Sequence, residues 1–216
     1  MFKRKHILIL FLLGFFLFRL VKYHYTTDVS SDENYTVIMS QSWAPTICLL
    51  WLRVGDKHTC STDGLGTWVM HGIWLPGQVF GESIHCNDSW SLDKEQIRDI
   101  EPQLNRHWTS VNDTNGYKFW SHEWVKHGTC FAFMRHLNSQ RKYFMQGVKW
   151  MKEYSLTNVL KEAGIMPSNY VGFNVEDLFK VIMSKFKVRL EVICVKVKGK
   201  QLLREVHICF DRKVYN

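Results

Sequence analysis

Six cysteines, at positions 48, 60, 86, 130, 194 and 209, constrain this 216-residue chain more than any other feature. They follow a basic-led apolar leader: Lys3, Arg4, Lys5 and His6, then twelve apolar residues from Ile7 to Phe18, closed by Arg19 and Lys22. The run is short for a membrane span and reads as a signal peptide over 1–22, with a retained signal anchor as the alternative; no small-x-small motif marks the cut. An even cysteine count behind a secretory leader implies a disulfide framework, three bridges with fifteen possible pairings. None of the six lies in a CxxC pair, which disfavours zinc ribbons and thioredoxin-type chemistry. Sequons at Asn34, Asn87 and Asn112 mark surface glycosylation sites and agree with the secretory route, ending outside the cell or in the lysosome.

Beyond the leader no stretch of about 18 apolar residues occurs, so a multi-span membrane protein is excluded and no membrane association is expected once the signal is removed. The 46% apolar and 22% charged content is that of a folded globular domain. There is no repeat period and no low-complexity tract. The net charge of +8 is unevenly placed. Residues 1–22 carry five basic and no acidic groups, and 178–216 carry ten basic against three acidic. The latter block reads either as an attractor for a polyanion or as a solvated strand face.

Hydrophobic spacing places strands at 35–43 and 67–74, helices at 92–108, 119–127, 139–154, 156–163 and 175–186, and an antiparallel strand pair at 188–197 and 202–210. Residues 23–34 read as a polar linker, and 55–66 and 77–89 as loops. The sum is an α+β fold: one domain over 35–216, an antiparallel sheet with packed helices.

The chemistry concentrates in Phe119-Trp120-Ser121-His122-Glu123-Trp124-Val125-Lys126-His127-Gly128-Thr129-Cys130. At about 100° per residue, His122, Lys126, Glu123 and His127 share an arc of about 140°, while Trp120 and Trp124 form a column able to anchor the helix in the core. Two imidazoles, an ammonium and a carboxylate suit phosphate chemistry: histidine takes or gives a proton near neutrality, and lysine offers a point charge. The histidines are five apart, which splays the rings relative to the HExxH spacing of zinc helices; no metal site and no cofactor are expected. A solvated helix face with surface histidines is the plain alternative. A second segment, Thr67-Trp68-Val69-Met70-His71-Gly72-Ile73-Trp74-Leu75-Pro76-Gly77, sends one histidine out of an apolar strand beside a glycine that permits close backbone approach and a tryptophan suited to stacking on a base.

Together, His71-Gly72-Ile73-Trp74-Leu75-Pro76 and Phe119 to Cys130 resemble the two active-site signatures of the ribonuclease T2 family, roughly HGLWP and FWxHEWxKHGTC. The similarity extends through Gln41-Ser42-Trp43, Cys86 to Trp90 and Leu137 to Phe144, and is strongest towards the animal secreted or lysosomal branch. The resemblance implies a monomeric, metal-independent endoribonuclease acting on single-stranded RNA through a 2′,3′-cyclic phosphate. It implies His127 as general base, His71 as general acid, His122 as phosphate holder, and Glu123 with Lys126 as stabilisers of the pentavalent intermediate. It assigns Trp74, Phe119 and Gln41 to base binding, and pairs Cys48 with Cys60, Cys86 with Cys130 and Cys194 with Cys209. The residues alone leave that last pair in conflict, because a tight turn centred on Gly199 sets Cys194 opposite Arg204. Leu75 is inserted before Pro76, and Gly77 stands where the family carries an acidic residue. The insertion is the one feature favouring another reading, a non-catalytic secreted glycoprotein that binds RNA or a cell-surface partner.

Overall fold

A computed structural model of the chain describes residues 20–24, 35–60, 67–76, 85–112 and 116–211. Its strands are β1 (Leu20–His24), β2 (Tyr35–Trp43), β3 (Trp68–Trp74), β4 (Arg189–Val197) and β5 (Lys200–Asp211). The helices are α1 (Ala44–Val54), α2 (Glu101–His107), α3 (Gly116–Lys126), α4 (Gln140–Glu153), α5 (Leu156–Glu162) and α6 (Val175–Phe186). The strands form one sheet in the order β1-β4-β5-β2-β3, every neighbouring pair antiparallel.

Period-two alternation gives the sheet two unlike faces. Val37, Met39, Met70, Ile73, Val192, Val206, Ile208 and Phe210 point to one side and join the main core with Trp108, Trp120, Trp124, Tyr143 and Phe144 from the helical part. Ile38, Trp74 and Cys209 form a separate small cluster on the other side. The register opposes Ser40 to His207, Ser42 to Glu205 and His207 to Glu191, so the second face also carries buried polar groups.

Register shifts interrupt this alternation at three places: one lies between Tyr35 and Val37 where β2 meets β5, and the other two bear on the residues discussed below. Between β2 and β3 the pairing steps from Ser40↔Gly72 to Gln41↔Met70, which leaves His71 as the extra residue. Between β4 and β5 it steps from Ile193↔Glu205 to Cys194↔Leu203, which leaves Arg204 extra. A bulge turns two successive side chains to the same side. The freed carbonyl of His71 is not lost, since Trp108 Nε1 donates to it at 2.8 Å. The next backbone unit is held by Tyr143, whose hydroxyl donates to the Ile73 carbonyl at 3.0 Å.

Several local expectations meet the structure differently. The helix expected over 92–108 is two short 3₁₀ turns, Lys94–Gln96 and Arg98–Ile100, followed by α2. Pro102 explains the break: it lacks an N–H for the preceding turn, yet suits the first turn of a new helix, where it lies. Asp93 caps the first turn by accepting from the Glu95 amide at 3.0 Å. Helix α1, absent from the sequence reading, also opens on a proline in its first turn, Pro45. The leader–linker junction expected after residue 22 falls inside β1, which pairs with β4; an outer strand edge accepts any extended segment whose backbone can complete its ladder.

Two disulfides join Cys48 to Cys60 and Cys86 to Cys130. The pairing of Cys194 with Cys209 is corrected: Cys194 lies opposite Leu203, and Cys209 opposite Arg189. The cause is the tight turn at Lys198–Gly199, both at positive φ, which sets a register incompatible with that bridge. Burial pushes the Cys194 thiol up to about 11.

Candidate active site

Helix α3 is fixed by its tryptophans. Trp120 and Trp124 are buried, and their indole N–H groups donate to the carbonyls of Trp108 (2.7 Å) and Trp90 (2.9 Å). The expected charged arc is thereby divided among different surroundings. His122 is exposed, Lys126 half-buried, and Glu123 and His127 buried. Helix α3 ends at Lys126, and His127 leads into a 3₁₀ turn, Gly128–Phe131, that contains Cys130; the bridge to Cys86 ties down the chain just past the helix.

Glu123 reaches the bulged strand. Its Oε2 accepts from Trp74 Nε1 at 3.3 Å and its Oε1 lies 3.8 Å from His71 Nε2. This approach requires Gly72, because a Cβ there would overlap both Glu123 Oε2 and Trp74 Nε1. Trp74 is the hub: its ring centroid is 4.9 Å from that of His71 and 5.4 Å from that of His127. Phe119 stacks near His71 at 6.2 Å.

The two imidazoles sit in opposite fields. His127 is pushed down to about 3, first by burial, then by the cationic forms of His71, Lys126, His122 and His85. His71 moves the other way: burial disfavours its charged form, but the Glu205 carboxylate, with help from Glu123, outweighs both burial and the opposing Arg204. Burial lifts Glu123 to about 7, although His71, the Trp74 N–H and Lys126 pull against it. His122 is lowered by partial burial and by Lys126. Among the described residues no cluster of three or more His, Cys, Asp or Glu has the geometry to hold a metal ion.

The sequence profile of the Ribonuclease T2 family matches residues 34–216. The chain belongs to the ribonuclease T2 family. Ribonuclease T2 of Danio rerio is 33% identical over 180 residues, covering 82% of this chain and 69% of that protein. Ribonuclease T2 of Homo sapiens is 32% identical over 183 residues, covering 82% and 66%. The crystal structure of human RNase T2 superposes with a TM-score of 0.67 at 29% identity, covering 82% of this chain and 85% of that one. RNase MC1, in a mutant crystallised with 5′-UMP, gives 0.70 at 26% identity, covering 84% and 90%.

For a ribonuclease T2 family member, the expected base contacts fall in unexpected places. Phe119 is half-buried beside His71. Gln41, also expected at the base, pairs opposite Met70 on the core face, is fully buried, and donates to the Tyr154 carbonyl at 2.8 Å. Trp74, expected at the base, is 4% exposed, with its ring against those of His71, His127 and His207. Leu75, inserted behind it, packs against the main core. Of the sequons, Asn87 and Asn112 are exposed, and Asn34 lies outside the described residues, as do Gly77 and the apolar leader.

Sequence reasoning missed a second layer. Glu205, buried on β5, places Oε1 3.4 Å from His71 Nδ1 and Oε2 3.1 Å from His207 Nε2. His207 in turn places Nδ1 3.3 Å from Glu191 Oε2. The signal was present as Glu205-Val206-His207, two ionisable residues two apart in an apolar strand, which alternation sends to one face.

Proposed function

We propose that this ribonuclease T2 family member is a secreted or lysosomal, metal-independent endoribonuclease that cleaves single-stranded RNA by internal phosphoryl transfer. His127, neutral, takes the proton of a ribose 2′-hydroxyl. The 2′-oxygen attacks the adjacent phosphorus as the bond to the 5′-oxygen breaks. His71, protonated, gives its proton to that oxygen, leaving a 2′,3′-cyclic phosphate. His122 and Lys126 hold the phosphate, and Glu123, half in its acid form near pH 7, donates to or orients the charged intermediate. Phe119 flanks the base. Dependence on a 2′-hydroxyl selects RNA over DNA without sequence readout.

The observation that carries this reading is the opposed charging of two histidines against one indole. A transfer of this kind needs a base and an acid at one phosphate in opposite protonation states, and surroundings that drive two pKa values apart supply that division of labour. The test is cleavage of homopolymer RNA at pH 5 and 7 with and without EDTA, with products examined for cyclic phosphate. Cleavage that persists in EDTA and yields the cyclic product is expected. Cleavage abolished by EDTA overturns metal independence. No cleavage, with RNA still bound, returns the protein to the reading of a non-catalytic glycoprotein, which the enclosure of Trp74 favours.

A further inference from the structure

Beyond the five active-site residues, the sheet face behind them carries ionisable groups that the reaction above does not use. Glu205 is buried on β5, yet it is surrounded by ionisable and polar partners from three strands. Oε1 faces His71 Nδ1 of β3 at 3.4 Å and Arg204 Nε at 3.2 Å; Oε2 faces His207 Nε2 at 3.1 Å and accepts from Ser40 Oγ of β2 at 3.4 Å. Both residues that bracket Oε1 are bulge residues. Without the extra residue at 71 and at 204, strict alternation would keep neither beside the carboxylate. These two interruptions, at 71 and at 204, therefore each deliver one side chain to the same oxygen.

We propose that Glu205 is a positioning residue for His71, orienting its ring and retaining its proton for the departing 5′-oxygen, with Arg204 as the opposing weight. The proposal rests on the assignment of His71 as general acid. The ring has two nitrogens with separate tasks: Nδ1 faces Glu205, which leaves Nε2, on the side of Glu123, to meet substrate. A carboxylate close to the far nitrogen stabilises the imidazolium. Burial works against the charged form of Glu205, but His71 first and then His207, itself backed by Glu191, hold the carboxylate ionised. The other groups coupled electrostatically to His71 are Glu123, Arg204, and His122 and His127 on and just beyond α3; none of them is altered by substitution at 205.

The test combines two readouts in the whole protein. First, the titration midpoint of His71 is followed by NMR in protein labelled with ¹³C-histidine. In Glu205→Gln it falls by about one pH unit or more, as expected on losing an opposite charge within about 4–6 Å, and in Arg204→Met it rises. Second, kcat is measured at pH 7 on a dinucleotide and on a nucleoside 3′-(4-nitrophenyl) phosphate. For Glu205→Gln the dinucleotide loses about tenfold to a hundredfold in kcat at little change in KM, and recovers as pH is lowered. The nitrophenyl ester, whose leaving group needs no proton, loses under about threefold. Equal losses on both substrates, or a His71 midpoint unmoved in both variants, overturn the proposal. Should Glu205→Gln not fold, the Arg204→Met midpoint decides: a rise supports the proposal and no change overturns it. A wild-type protein that cuts no RNA while the His71 midpoints still shift as stated would sink the functional reading and leave the Glu205–His71 coupling intact.

Discussion

His71 and His127 touch the same indole from different elements, and their neighbourhoods are nearly mirror opposites in charge. His71 rises from a sheet face furnished with Glu205, with Glu123 of α3 near its other nitrogen. His127 sits where α3 ends, buried among Lys126, His122, His85 and His71 itself. Carboxylates outweigh Arg204 at one imidazole and cations crowd the other, so identical side chains are pushed towards opposite protonation states. On the proposed reaction, the division into acid and base is set by the residues around each ring: the sheet face supplies one set and the helix terminus the other.

The most severe disruption of this pairing is to remove either imidazole. His127→Ala or His71→Phe should lower RNA cleavage by roughly 10³-fold or more, with circular dichroism unchanged. Near-wild-type turnover in either would end the assignment. The close approach behind the pair comes next. Gly72→Ala should drive Trp74 and Glu123 apart and reduce kcat by about tenfold or more while the far-UV spectrum is retained.

The pH profile sharpens the contrast without mutation. Cleavage needs His127 neutral, so it is lost as pH falls through about 3. It needs His71 protonated, so it is lost as pH rises through a value above the ordinary 6.5. A plot of kcat/KM against pH should therefore show a broad plateau; a narrow bell centred on 6.5 would show that the two fields do not differ. The smallest effect concerns the hub. Trp74→Phe keeps a ring between the histidines but removes the N–H that Glu123 Oε2 accepts. That raises the Glu123 pKa and should change kcat by about threefold, read on the same dinucleotide.

Much of this was legible in the chain because it depends on local period. The Trp120–Trp124 column predicted which side of α3 enters the core, and both rings are buried there. Strand β2 and helix α6 begin and end where alternation and helical spacing place them. What escaped depends on register. The Cys194–Cys209 bridge failed because a two-residue turn and one extra residue decide which side chains meet across β4 and β5. Gln41 was legible by contrast: it continues the core-facing series of Val37 and Met39 along β2, and only the family resemblance assigned it to a base. Glu205 and His207 were visible as a polar pair in an apolar strand, but their target, His71, lies on a strand more than 130 positions earlier. Nor does angular placement on a helix say which polar group is driven inward; Glu123 is, because Gly72 leaves it room.

The bulge on β3 carries a further consequence. Excising position 71 would let β2 and β3 zip into uniform register, with every amide in that stretch matched to a partner. Such a shortened polypeptide should make the better-ordered sheet and be chemically inert. The irregularity is thus where this architecture trades some regularity for reactivity, and efforts to harden the scaffold by smoothing its edges should leave that spot alone.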